Sequence, residues 1–167
     1  VRRRWHADTL AESVSAIDVA DLRAHGIDGA IIDLDNTLVA YRMLEPSFAE
    51  ADWVRAAGAA GLQIVIVTNN ATPWARAVAA TFGVPCITNA RKPFRAGFRR
   101  ALDLLALPRE RVVVIGDQFF TDVLGAKMCG LAVILVPPLA DGDPLSTRPL
   151  RWLARALKRE KRRPPPG

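Results

Sequence analysis

The sequence predicts a three-layer α/β fold around a mainly parallel, five-stranded sheet, and three observations predict it. Residues 30–32, 62–67, 111–115 and 132–136 are near-continuous aliphatic runs, the pattern of strands buried on both faces. Between successive runs lie stretches carrying helix caps and helical spacing, and that alternation defines the α/β class. The chain has 167 residues, with neither an internal repeat nor a composition break until its basic end, and this fits one domain. A shorter run around Pro85–Thr88 supplies the fifth strand. Crossovers between parallel strands are expected to be right-handed.

Taken in order, residues 8–26 mix polar and apolar positions, with a short helix expected from Asp18 to His25. Asp18 is its N-cap and Gly26 its stop. Asp28-Gly29 marks a turn into the strand at Ala30–Ile32, and Leu38–Glu45 follows as a loop. Pro46-Ser47 opens an amphipathic helix that closes near Gly61, before the strand Leu62–Val67. Thr72-Pro73 reads as an N-cap with proline at the first helical position, and this helix stops at Gly83. Phe94, Phe98, Leu102 and Leu105 recur at helical spacing over Phe94–Leu105, marking an apolar face. Arg111–Ile115, a helix around Asp122–Cys129 and the strand Ala132–Val136 complete the domain, whose expected bounds are 1–144. Residues 145–160 read as a basic amphipathic helix and 161–167 as a disordered Arg/Pro tail.

The net charge of +6 is uneven. Residues 148–163 hold eight Lys/Arg against one Glu, and residues 2–4 are three arginines. The stretch between has twelve Lys/Arg against sixteen Asp/Glu, a net −4. A basic total therefore gives no reason to expect the core to bind nucleic acid. No apolar run is long enough to cross a membrane, and Arg2–Arg4 precede no apolar segment of the signal-peptide kind. Cys86 and Cys129 lack metal-ligand or redox spacing and are expected to be small buried hydrophobes in a reducing cytoplasm.

Reactive groups gather where the strands end. Asp33 and Asp35 follow the first run, and alternation along an extended chain lets both face one crevice. Two carboxylates placed together repel unless a cation or a division of acid and base roles accommodates them. Thr68 ends the second run, Lys92 follows the third, and Asp117 follows the fourth with Asp122 five residues on. A parallel sheet carries all these ends to one rim, where open α/β sheets bind ligands. Carboxylates, one hydroxyl, one ammonium and turn N–H groups suit a phosphate held by Mg²⁺ and Lys while a carboxylate attacks phosphorus.

Asp33-Leu34-Asp35-Asn36-Thr37, Val67-Thr68-Asn69-Asn70, Lys92-Pro93 and Gly116-Asp117-Gln118-Phe119-Phe120-Thr121-Asp122 resemble, in order, motifs I to IV of the haloacid dehalogenase (HAD) superfamily. The versions of motifs I and IV resemble its subfamily IIIA phosphatases, in the YqeG-type branch related to phosphatidylglycerophosphate phosphatases. The similarity spans roughly residues 13–137 and implies a Rossmannoid HAD-like fold. It implies Asp33 as nucleophile and Mg²⁺ ligand, and Asp35 as general acid and base with its backbone carbonyl on the metal. Thr68 would hold a phosphoryl oxygen and Lys92 would neutralise charge on nucleophile and phosphate. Asp117 would ligate Mg²⁺ directly and Asp122 through water. Asn36, Thr37 and Asn69 are the expected substrate contacts, and Arg91, beside Lys92, is either a contact for an anionic substrate or a solvated arginine. An acid at position 35 favours a phosphatase over a dehalogenase, whose leaving group needs no proton.

Relatives often insert a cap domain after motif I or between motifs II and III. Here those intervals hold only a loop, a helix and a strand, so no cap is expected. An open site favours substrates that bring their own bulk, such as a lipid headgroup, a macromolecule, or a site shared within an oligomer. Phosphatidylglycerophosphate is the leading substrate. One alternative is a soluble sugar or nucleotide monophosphate. Another is a binding protein for RNA, ribosomes or a GTPase with incidental activity. Leu150, Leu153 and Leu157 share a helical face surrounded by Arg151, Arg155, Lys158 and Arg159. That face suits either an anionic membrane, reached through residues 145–163, or the domain itself. Trp53, Trp74, Phe82 and Phe98 are expected in packing roles and His6 and His25 in solvent.

Overall fold

The structure is a computed structural model that describes residues 8–40, 43 and 45–140. The helix and tail expected over 145–167, and His6, lie outside the described residues. Six strands form one sheet: β1 (Thr9–Leu10), β2 (Gly29–Ile32), β3 (Gln63–Val67), β4 (Cys86–Ile87), β5 (Val112–Gly116) and β6 (Ala132–Leu135). Their order is β1-β6-β5-β2-β3-β4, with every pairing parallel. The helices are α1 (Val19–Ala24), α2 (Phe48–Ala59), α3 (Pro73–Thr81), α4 (Arg95–Leu105) and α5 (Leu124–Cys129).

The sheet has one strand more than expected. Thr9-Leu10 is too short, and half polar, to show in an apolar pattern. It pairs with β6 at the edge, Thr9 opposite Ile134. Asp8 fixes the approach, its carboxylate accepting from the Val133 N–H at 2.8 Å and from Lys127 Nζ at 2.5 Å.

Alternation along each strand divides the core in two. On one face Ala30, Ile32, Ile64, Ile66, Val113 and Ile115 meet Trp53, Val54 and Ala57 of α2 and Val78 and Ala79 of α3. On the other, Ile31, Val65, Val112, Val114 and Val133 meet Phe98, Ala101 and Leu105 of α4 and Ala126 of α5. Each such aliphatic side chain contributes about 1.5–3 kcal/mol through its burial, so the two layers clamp the central strands. Gly125 sets the closeness of α5 to α4, because a Cβ there would lie 2.4 Å from the Phe98 ring.

Caps behave as the sequence predicts at two helices. Asp18 accepts the Ala20 N–H at 2.8 Å, and Thr72 accepts the Ala75 N–H at 3.2 Å with Pro73 in the first turn. Phe94 departs from expectation. It is the N-cap of α4, with extended backbone (φ −62°, ψ 146°), so its ring is not on the helix face and is 67% exposed. Trp53 is buried, with its indole N–H on the Ile17 carbonyl at 2.7 Å, and Trp74 and Phe82 are partly buried against the same cluster. Cys86 and Cys129 are half-buried free thiols. His25 is exposed beside Asp21.

Strand order reverses between β2 and β5: β3 and β4 build outward on one side, and β5 and β6 on the other. Loops leaving β2 and β5 therefore diverge and open a crevice at the carboxyl rim. Between β2 and β3 the described residues hold α2 alone, and between β3 and β4 they hold α3 alone. Among the described residues no helix is long and apolar enough to cross a membrane.

Candidate active site

Asp33 is the residue after β2, anchored by its N–H on the Ile115 carbonyl at 2.9 Å. Asp117 is the residue after β5, so adjacent strands place these two carboxyls at the crevice. Lys92 arrives from beyond β4, and its ammonium donates to Asp33 Oδ1 at 2.6 Å and to Asp122 Oδ1 at 2.7 Å. Asn69 steadies the Lys92 backbone from both sides, accepting its N–H at 2.6 Å and donating to its carbonyl at 3.0 Å. The Lys92–Pro93 peptide is cis.

Asp122 sits in a π-helical turn over Phe119–Val123 that leads into α5. Such wide turns recur at functional sites. This one turns Asp122 inward, where its second oxygen accepts the Gln118 N–H at 3.1 Å. Gly116 makes the room: a Cβ there would lie 2.4 Å from Asp122 Oδ2.

Asp33, Asp117, Asp122 and Lys92 are all buried. Three carboxylates thus face one ammonium in a site withdrawn from solvent. Burial pushes the Asp33 carboxyl well above the usual range, with Lys92 opposing and Asp122 and Asp117 adding to the rise. Burial likewise lifts Asp117 to about 6, with Asp122 assisting and the hydrogen bond from Thr37 opposing. For Lys92, burial would lower the ammonium's pKa. Asp122 and Asp33 outweigh it, so the net shift is upward and the group stays charged.

The cluster fits a divalent cation on two observations. One oxygen from each of Asp33, Asp117 and Asp122 lies within 4.8 Å of the others. Asp117 Oδ2 is buried without a hydrogen-bond partner, although leaving a carboxylate oxygen unsatisfied costs several kcal/mol. A cation there would balance the excess negative charge and supply that partner. Both Asp122 oxygens already have donors, so it is better placed behind such an ion than directly on it.

Asp35 lies outside this triad. Its Oδ2 accepts from Thr68 Oγ1 at 2.7 Å and its Oδ1 from Asn70 Nδ2 at 3.0 Å, and it remains partly open to the rim. The Asp35 carboxylate is therefore engaged by neutral donors and is not one of the three that cluster. Both motif I aspartates reach the crevice, but not by strand alternation, because β2 ends at Ile32. Asn36 adopts φ +60° with its N–H on the Val39 carbonyl at 2.7 Å, folding the loop back.

Thr37, expected at the substrate, is buried instead, its hydroxyl donated to Asp117 Oδ1 at 3.0 Å. The amide of Asn69, also expected there, is engaged by the Lys92 backbone. Arg91 is exposed at the rim, with φ +56°. Asn70, Gly116 and the Gln118 N–H, which lie within the motifs without an expected role, respectively donate to Asp35, leave room for Asp122 and donate to Asp122.

A profile of the haloacid dehalogenase-like hydrolases matches residues 46–130. The chain is 36% identical to "Probable phosphatase YqeG" of Bacillus subtilis (strain 168), over 92% of this chain and 91% of that protein. It is 28% identical to "Phosphatidylglycerophosphate phosphatase 1, chloroplastic" of Chlamydomonas reinhardtii, over 87% of this chain but 60% of that longer protein. Its fold resembles that of 3-deoxy-D-manno-octulosonate 8-phosphate phosphatase from Yersinia pestis, with a TM-score of 0.54 at 20% identity. That match covers 77% of this chain and 71% of the other. With four motifs gathered at the switch point of a parallel sheet, the chain belongs to the haloacid dehalogenase-like hydrolase family, among its phosphatases.

Proposed function

We propose that the chain hydrolyses phosphomonoesters through an aspartyl-phosphate on Asp33, uses Mg²⁺, and takes phosphatidylglycerophosphate as its principal substrate. The observation that carries the chemistry is the pairing of two differently furnished aspartates. Asp33 is buried and held by an ammonium; Asp35 is open to the rim and held by neutral donors.

Asp33 attacks phosphorus, forming an O–P bond as the ester P–O bond breaks, and Asp35 gives its proton to the departing alcohol. Water then attacks the same phosphorus, Asp35 takes the water's proton, and the Asp33–phosphate bond breaks to release inorganic phosphate. Lys92 holds Asp33 in place and offsets charge on the phosphoryl group, where catalysis is chiefly positioning and electrostatics. Thr68 donates to Asp35 in the free enzyme. Turning its hydroxyl to a phosphoryl oxygen would free an Asp35 oxygen when substrate arrives. Mg²⁺ held by Asp33, Asp117 and the carbonyl of residue 35, with Asp122 behind, would supply positive charge against the phosphoryl oxygens.

Two observations support a lipid substrate. One is the likeness to the algal phosphatase, whose name carries that substrate. The other is the rim: Phe48, Phe94, Phe120, Met43 and Leu139 are large, exposed and apolar, and all sit on segments following strand ends or opening the helices there. Apolar side chains around the mouth suit a site that meets a phosphate at a bilayer surface. Residues 145–163 carry cationic charge that would add attraction to anionic lipid.

The test is Mg²⁺-dependent phosphate release from phosphatidylglycerophosphate in mixed micelles, compared with sugar and nucleotide monophosphates. The lipid should be turned over fastest. Faster release from a soluble monoester overturns the substrate. No release from any of them by the folded chain overturns the activity and leaves a binding role.

A further inference from the structure

On the face carrying α2 and α3, these helices lie over the β2–β4 half of the sheet. The other half, β5, β6 and β1, has only the six-residue α1 beside it among the described residues. A groove of about 660 Å³ remains there, floored by Ile17, Leu22, Ile27, Val113, Ala132 and Ile134. A parallel sheet is ordinarily covered by helices on both faces; here Val14 and Ile17 of a loop and Leu22 of α1 cover Val113, Ile115 and Ile134 in place of a full helical layer.

The groove's border is acidic. Asp8, Glu12, Asp18 and Asp21 line it. Asp8 is neutralised by Lys127, whereas Glu12, Asp18 and Asp21 have no Lys or Arg partner among the described residues. An apolar floor with a carboxylate border calls for an amphipathic segment with a basic polar face. The chain contains one: Leu150, Leu153 and Leu157 at helical spacing, within a stretch of eight Lys/Arg against one Glu.

We propose that the groove beside α1 is the docking site of the chain's own segment 145–160, which completes that helical layer of the domain. Reach favours this occupant. The described chain ends at Ala140, five residues past β6, and β6 itself floors the groove. The ten residues to Leu150 span up to about 33 Å when extended, ample to turn back across the sheet face. As a helix the segment would run about 24 Å, its leucines on the floor and its cations along Glu12, Asp18 and Asp21. Docking in this way leaves the catalytic rim uncovered. Anionic lipid then competes with the groove for the same leucines and cations.

Zero-length carbodiimide cross-linking of the full wild-type chain tests this, because the reagent joins a lysine amine only to a carboxylate it touches. The sequence has four lysines, of which Lys158 and Lys161 lie in or beside the segment. At low salt, cross-links from them to Glu12, Asp18 or Asp21 should appear within the monomer band. They should be lost in Leu153→Glu/Leu157→Glu, which keeps both lysines and leaves the described core unaltered. They should also be lost in Ala16→Arg, which places a cation at the groove's exposed edge. The proposal is overturned by cross-links confined to a dimer band, or spread equally to exposed Asp52, Asp103 and Glu110. It is also overturned by cross-links that survive the leucine substitutions, or that form only on vesicles of phosphatidylglycerol.

Discussion

Replacing Lys92 by methionine isolates the charge balance of the site. The ammonium lies 2.6 Å from Asp33 and 2.7 Å from Asp122, with both its own side chain and theirs almost wholly buried. Methionine retains most of the volume but leaves Asp33, Asp117 and Asp122 without the ammonium that is their buried cation among the described residues. Removing one partner of a buried ion pair costs about 3–5 kcal/mol, against a total stability of about 5–15 kcal/mol for a domain. The sign with pH follows from the carboxyls. Asp117 is raised from 3.8 to about 6, and Asp33 is raised well above its ordinary range. A raised acid binds its proton more tightly when folded, so its contribution is full below about pH 4 and is lost as pH rises through 6. For Asp117 the two-unit rise corresponds to about 3 kcal/mol. Lys92→Met should therefore be destabilised by about 3–5 kcal/mol at pH 8 and much less at pH 5, in urea unfolding without divalent cation. Mg²⁺ should recover part of the loss at pH 8. A loss below about 1 kcal/mol at pH 8, or one equal at the two pH values, would show that Lys92 does not offset the charge of these buried carboxyls.

Other substitutions separate the remaining roles. Asp33→Asn should remove turnover in a folded protein, since an amide does not attack phosphorus; phosphate-release assays with a thermal melt check both halves. Asp35→Asn should slow hydrolysis of alkyl phosphates about 10²–10⁴-fold and of an aryl phosphate far less. Equal losses on both would deny it the acid role. Gly116→Ala should displace Asp122 and lower both stability and Mg²⁺ affinity, because the new Cβ overlaps that carboxylate at 2.4 Å; calorimetric titration with Mg²⁺ reads the second. Thr37→Val should raise the Asp117 pKa further by removing its 3.0 Å donor, moving the onset of Mg²⁺ binding to higher pH.

The sheet was legible wherever burial on both faces wrote a continuous aliphatic run, as at Ile64–Val67 and Val112–Ile115. It was not legible at Thr9-Leu10, where two residues gain their strand character from β6 and from Asp8 rather than from their own pattern. Phe94 shows the limit of periodicity: its spacing to Phe98 is helical, but the helix begins one residue later. In the site, side-chain types at strand ends marked Asp33, Asp35, Thr68, Lys92, Asp117 and Asp122. Residues that work through backbone geometry left no such mark. The inward turn of Asp122 depends on a π-helical turn and on a bare Cα at Gly116, and the orientation of Lys92 depends on an amide 23 residues earlier. The motif resemblance places Thr37 at the substrate, whereas its hydroxyl is buried and donated to Asp117.

Trapping the intermediate asks whether Asp33 carries the phosphoryl group. Asp35→Asn, mixed with an aryl phosphate and Mg²⁺, should accumulate the acyl phosphate, because the leaving group needs little protonation while the second step lacks its base. Acid quenching followed by borohydride reduction converts a phosphorylated aspartate to homoserine, which peptide mass spectrometry locates. Homoserine at position 33, dependent on substrate and Mg²⁺, is the predicted result. Turnover of the aryl phosphate with residue 33 unmodified, or modification at another carboxylate, would contradict the account.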